Sequence, residues 1–156
     1  MASEGKEQKY FYHLCNLRAY QQKPIRPELV SWIDFSITSG CFHLIRDSFD
    51  KLSGYIIWAR ISKESLRTMI RQKAWPKYAH EWNEGNIIVI LDIVNRSLKP
   101  AELQTLLRTL FGRYRIVLYE HRGKVVCLTR SGKRYNTAWV YPQQACSPGT
   151  RLSSQS

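Results

Sequence analysis

Apolar residues in this chain recur at two spacings, and the switching between them sets the order of elements. From Cys41 to Arg46, and again from Tyr55 to Ile61, β-branched and aromatic residues crowd into short runs. The stretch from Asp47 to Gly54 between them is dense in turn formers, which predicts an antiparallel hairpin with a long loop. The run Ile87-Ile88-Val89-Ile90-Leu91 has no polar alternation at all and predicts a strand buried on both faces. Tyr114 to Tyr119 and Lys124 to Thr129 predict two further strands joined by a turn at His121-Arg122-Gly123, and Asn136 to Tyr141 a short edge strand.

The other spacing is helical. Leu29, Trp32, Ile33 and Ser36 share one side of a helix over Glu28 to Ile37, with Pro27 in its first turn and Gly40 near its end. Ser62 is placed to cap a second helix, with Glu64 favourable at its N-terminal dipole. Leu66, Met69, Ile70 and Ala74 line one face of it, and Trp75-Pro76 stops it. Pro100 opens a third, whose Leu103, Leu106, Leu107, Leu110 and Phe111 make an apolar stripe, with Gly112 a candidate left-handed cap. These stripes are core in character. Pro24 and Pro27 bracket an extended stretch, and the polar residues 1–9 predict a frayed end. The expected fold class is α/β (α+β): a mixed, largely antiparallel central sheet of five or six strands covered by two or three helices. One domain spans 20–141, preceded by an N-terminal segment, 1–19. A basic and polar tail, 142–156, is rich in Gln, Ser, Pro and Gly and predicts disorder.

Length and composition narrow the class. The 156 residues suit one domain with one good core, and 44% apolar and 12% aromatic content excludes a wholly disordered chain. No apolar run approaches the ~20 residues that span a bilayer. The acidic, polar start at Met1 to Glu7 is unlike a secretory signal, which leads to the expectation of a cytoplasmic protein. Cys15, Cys41, Cys127 and Cys146 show no CxxC pairing, and His13, His43, His80 and His121 no HxxxH, so no metal site is expected. The net charge of +12 is uneven: beyond residue 102 nine Lys or Arg face Glu120 alone. Such a field attracts a polyanion, whether nucleic acid, anionic membrane or acidic protein.

Candidate chemistry is sparse. There is no phosphate-binding glycine loop, no GxSxG and no zinc-finger or RNA-recognition signature. The turn from Arg130 through Lys133 and Arg134 to Tyr135 mixes cations, an aromatic and glycine, a composition suited to phosphate contacts and equally to a solvated loop. Asp92 stands out, because a carboxylate at the end of a fully apolar strand is costly unless paired, hydrogen-bonded or used.

Taken in order, several segments resemble one family, the toxin-activating (hemolysin-activating) lysine acyltransferases of bacteria. Gly54 to Ser62 looks like the family's strand ending in Trp-Ala-x-Leu-Ser, here Trp58-Ala59-Arg60-Ile61-Ser62. Glu81-Trp82-Asn83-Glu84-Gly85 looks like its acidic-Trp-x-x-Gly turn. Asp92 falls at its catalytic aspartate, and His121-Arg122-Gly123-Lys124-Val125 with Gly132-Lys133 resembles its His-x-Gly-Lys-Val hairpin and following Gly-Lys. The resemblance covers roughly residues 20 to 133. It implies an acetyltransferase-like (GNAT-like) sheet, no bound cofactor, acyl carrier protein as donor, and transfer of a fatty acyl group to lysines of a protein acceptor. It also implies a basic face for the acidic carrier. The family's histidine lies four residues before a proline; the matching stretch is Tyr20-Gln21-Gln22-Lys23-Pro24, so Tyr20 occupies that place. Lys23 replaces a tryptophan, and the Pro-Phe-Gly that trails the aspartate is absent.

Three readings follow. In the first, the chain is a divergent acyltransferase in which Asp92 orients either His13 or Tyr20 at the acyl group, while His121, Lys124, Arg130, Lys133 and Arg134 bind the carrier or another polyanion. In the second, catalysis is lost and the basic C-terminal third engages nucleic acid or an acidic protein. In the third, the chain is an unrelated basic interaction protein. The oligomeric state stays open, a homodimer included.

Overall fold

The computed structural model describes residues 2–21, 27–72, 83–121, 124–129 and 137–140. The elements are α1 (Ala2–Tyr20), α2 (Pro27–Ser39), β1 (Phe42–Arg46), β2 (Leu52–Ile61), α3 (Lys63–Gln72), β3 (Ile87–Asn95), α4 (Pro100–Phe111), β4 (Ile116–His121), β5 (Lys124–Thr129) and β6 (Thr137–Val140). The strands form one sheet in the order β1-β2-β3-β4-β5-β6. All neighbours are antiparallel except β3 and β4, which run parallel. The α+β class with a mixed, largely antiparallel sheet is therefore as the pattern predicts.

Helices cover both faces of the sheet. Tyr55, Ile57 and Ile61 of β2 face one way, with α1 and α2 packed on Tyr55 and Ile57 through Leu14, Leu17, Leu29, Ile33 and Ile37. On the same face α3 seats Met69 against Ile61, Ile87, Val89 and Leu118. The intervening residues point to the other face, where Ile45, Ile56, Ile88, Ile90 and Val117 meet Phe111 and the leucines of α4. Strand alternation places successive side chains on opposite faces, so one run of aliphatics in β3 feeds both layers. Trp58 meets Phe111 edge-to-face at 5.1 Å.

Local chemistry explains most boundaries. The hydroxyl of Ser62 accepts from the Ser65 N–H at 3.1 Å, capping α3. At α4, Pro100 occupies the first turn and the Glu102 carboxylate accepts from the Lys99 N–H at 3.2 Å. Asn95 closes the preceding turn, accepting from the Leu98 N–H and donating to the Leu98 carbonyl, both at 2.9 Å. Gly85 packs so tightly on the Ile61–Ser62 backbone that a Cβ there would collide with main-chain atoms.

Three expectations are revised. Residues 2–9 are helical rather than irregular, because α1 begins at Ala2 and reaches Tyr20. It is held by Tyr10, Phe11, Leu14 and Leu17 packed on the sheet, tertiary burial outweighing a weak sequence signal. Gly112 is not a left-handed cap: its φ is −61° and its N–H bonds the Arg108 carbonyl at 2.8 Å. Its glycine is needed for space, since a Cβ would lie 2.5 Å from that carbonyl oxygen. Finally, Asp92 does not end its strand, because β3 continues to Asn95.

Candidate functional site

The register between β2 and β3 slips in the middle. Gly54 to Ile57 pair with Asn95 to Asp92, whereas Trp58 pairs with Ile90, leaving Leu91 as an extra residue in β3. A bulge of this kind puts two consecutive side chains on the same side of the sheet. Ile87, Val89 and Leu91 already face α1–α3, and strict alternation would turn Asp92 toward α4. Opposite Ile57, Asp92 instead joins the α1 face.

There it meets two partners. Arg18, in the last turn of α1, donates from Nη1 to Asp92 Oδ1 at 2.8 Å. The Tyr55 hydroxyl donates to Oδ2 at 2.6 Å. The Arg18 and Asp92 side chains are only 15% and 13% exposed, and Tyr55 is fully buried. Burial, then the negative charge and hydrogen bond of Asp92, push the Tyr55 phenol well above its ordinary value; Arg18 opposes this and the nearby Cys15 thiol adds to it. Cys15, one turn before Arg18, is itself raised by burial. Arg18 Nε is buried without a hydrogen-bond partner among the described residues. The costly carboxylate is thus paired and bonded, as its setting in an apolar strand requires.

The second feature is an opening in the sheet. β3 and β4 pair only through Ile87–Ile116, Ile88–Val117 and Val89–Leu118. Beyond these both strands continue, β3 to Asn95 and β4 to His121, without pairing to each other. Asp92 therefore lies on a stretch of β3 bonded to β2 on one edge and released from β4 on the other. Glu120, on the face shared with Asp92, is exposed.

The sequence candidates are distributed unevenly around this point. His13 packs edge-on to Tyr12, with ring centres 6.0 Å apart, and makes no hydrogen bond to Asp92. Tyr20 is 72% exposed and lies under the Arg96 guanidinium, 5.6 Å from ring to cation. Seven residues apart, His13 and Tyr20 share a flank of α1 that Arg18 does not. His121 and Lys124 are register partners at the adjoining ends of β4 and β5. Arg130, Lys133 and Arg134, like Trp75-Pro76, Glu81-Trp82 and the tail from Pro142, lie outside the described residues. Arg18 and Tyr55 are the residues that sequence reasoning missed.

A groove of about 460 Å³ lies between α1 and α2 and is lined by Glu4, Glu7, Phe11, Val30 and Asp34. It sits at the opposite end of α1 from Arg18. Among the described residues no cluster of three His, Cys, Asp or Glu could hold a metal ion, and no helix is long and apolar enough to cross a membrane. No protein-family model matches the chain, nor does any curated protein sequence.

Proposed function

We propose that this chain handles acyl thioesters in the manner of the toxin-activating lysine acyltransferases. On this reading a GNAT-like sheet receives a fatty acyl group from acyl carrier protein and passes it to lysines of a protein acceptor. The observation that carries the reading is the behaviour of β3, which bulges at Leu91 and leaves β4 after three paired residues. Released strand edges bind extended, amide-bearing chains through main-chain hydrogen bonds. The acyl-bearing arm of a carrier protein is such a chain. The order of motifs around Trp58-Ala59, Asn83-Glu84-Gly85, Asp92 and the His121–Lys124 turn supports the same reading, and a basic C-terminal third suits an acidic carrier.

The reaction asks little covalent work of the protein. A lysine amine attacks the thioester carbonyl, a C–N bond forms as the C–S bond breaks, the carrier thiol departs, and the amine's proton passes to solvent or to that thiol. Positioning supplies most of the rate. Asp92 is a positioning residue here, holding Arg18 and the end of α1 beside the opening. The test is a transfer assay with acylated carrier protein and a lysine-bearing acceptor, read by mass spectrometry. Wild-type protein should add the acyl mass to lysine, and Asp92→Asn should slow it at least tenfold while remaining folded. His13→Ala and Tyr20→Phe sort the two remaining candidates. No acyl-lysine from the wild type at any chain length would eliminate transfer.

One observation favours a second reading. Both Asp92 oxygens are engaged by Arg18 and Tyr55 rather than by His13. An acyltransferase-fold protein that has lost catalysis and binds nucleic acid or an acidic protein through its basic C-terminal third would have this arrangement. Binding of that kind falls steeply with salt, and replacing Lys124, Arg130, Lys133 and Arg134 by Gln should flatten the slope.

A further inference from the structure

We propose that the end of the sheet where β3 finishes is a docking face for an anionic lipid surface. Four segments meet there. Asn95 at the end of β3 pairs with Gly54 at the start of β2, so the β1–β2 loop lies beside it. Ser53 joins this loop to the β3–α4 turn, its hydroxyl 2.6 Å from that of Ser97 and its carbonyl accepting from the Arg96 N–H at 3.2 Å. Gln21, at the end of α1, reaches the Asn95 carbonyl at 3.5 Å.

The loop tip is built to hold an aromatic out in water. Asp47 Oδ1 accepts from the Phe49 and Lys51 N–H groups, both at 2.9 Å. Its own N–H bonds the Lys51 carbonyl at 2.9 Å, and Arg46 donates to the Asp50 carbonyl at 3.1 Å. Asp50 takes a left-handed φ of 60° to complete the turn, a conformation that costs a non-glycine residue some strain. The result leaves Phe49 82% exposed.

The surroundings are cationic. Arg46, Lys51, Arg96 and Lys99 are all exposed at this end, with Tyr20 exposed under Arg96. Three carboxylates lie among these four cations, Asp47 in the turn, Asp50 beside Arg46 at 3.9 Å and Glu102 at the α4 cap, so the local excess of positive charge is small and the exposed ring is the main anchor. A fixed aromatic that inserts at the headgroup boundary, ringed by Lys and Arg that meet anionic headgroups, is the chemistry of peripheral membrane attachment. An overall charge of +12 drives the same approach. The inference is independent of acyl-transfer chemistry.

The experiment is co-sedimentation of the full chain with vesicles of phosphatidylcholine alone, or with one-third phosphatidylglycerol. Binding to the anionic vesicles only is expected. Phe49→Ala should weaken it about tenfold, and Lys51→Gln, Arg96→Gln and Lys99→Gln roughly fivefold each. None of these side chains is buried, and thermal unfolding checks that each variant stays folded. Absence of vesicle binding overturns the proposal. So does vesicle binding that Phe49→Ala and Arg96→Gln leave unchanged, since attachment would then lie elsewhere. Loss of affinity for an acidic carrier protein in these variants, with vesicle binding intact, would assign the face to a protein and also overturn it.

Discussion

The two faces of the sheet solve different problems with the same strand. On the α4 side, Ile88 and Ile90 meet Phe111, Trp58 and a leucine stripe, and the buried centre of the layer holds no charged group. On the α1 side, the next residues of β3 deliver a carboxylate into a layer of Leu14, Leu17, Ile57 and Val94. The first face is held by area and close packing. The second accepts a charge and must then supply a guanidinium and a phenol to satisfy it. One extra residue, Leu91, makes the difference, because it redirects Asp92 from the first kind of face to the second.

That comparison can be broken at either face. Ile88→Ala should cost the most, about 3–4 kcal/mol, because it opens a cavity in the aliphatic centre of the layer. Urea unfolding measures it, and a loss below about 1 kcal/mol would mean the α4 layer is loosely packed. Arg18→Met should cost about 3 kcal/mol by leaving Asp92 unpaired beside a buried Tyr55. Combining it with Asp92→Leu sharpens the contrast: the double variant should recover to within about 1 kcal/mol of wild type, since a fully apolar face needs no clamp. If the two losses simply add, Arg18 and Asp92 do not act as a pair.

Tyr55→Phe is the subtler test, at about 1–2 kcal/mol near neutral pH for one lost hydrogen bond to a charged group. It has a pH signature as well. The folded Tyr55 resists ionisation, whereas in the unfolded chain it loses its proton near pH 10. Above that value the folded state retains the extra proton, so stability falls as pH rises, by up to about 1.4 kcal/mol per pH unit for one group. Below it the contribution is fully present. Tyr55→Phe should flatten this alkaline limb; an unchanged limb would show that Tyr55 is not the group responsible. Smallest of all, Phe49→Ala should change stability by less than about 0.5 kcal/mol, because the exposed ring contributes to no core.

The comparison also explains what the sequence could reveal. The α4 layer was legible because its leucines recur at helical spacing and its strand partners form an unbroken aliphatic run. The β1–β2 hairpin was legible for the same reason, its two apolar runs flanking a polar turn. The first helix was not: Phe11 to Cys15 mix aromatics, His and Leu without a clean stripe, and packing on the sheet stabilises what propensity does not. Asp92 could be singled out as an expensive residue, yet not assigned a face, because alternation predicts the wrong side whenever a bulge intervenes. Its partner Arg18 lies 74 residues away along the chain, and nothing near Arg18 distinguishes it from other cations. Tyr55 reads as one more strand aromatic until the fold sets its hydroxyl against a carboxylate.

The proposed function requires that the stretch of β3 released from β4, with Asp92 turned toward α1 beside it, receive an acyl-bearing chain. Backbone amide NMR of the wild-type protein titrated with S-dodecanoyl-pantetheine addresses this directly. Saturable shifts concentrated at Leu91, Asp92 and Ile93 of β3 and at Tyr119 and Glu120 of β4 are expected, with α4 unmoved. Shifts confined to other elements, or none at saturating ligand, would contradict it.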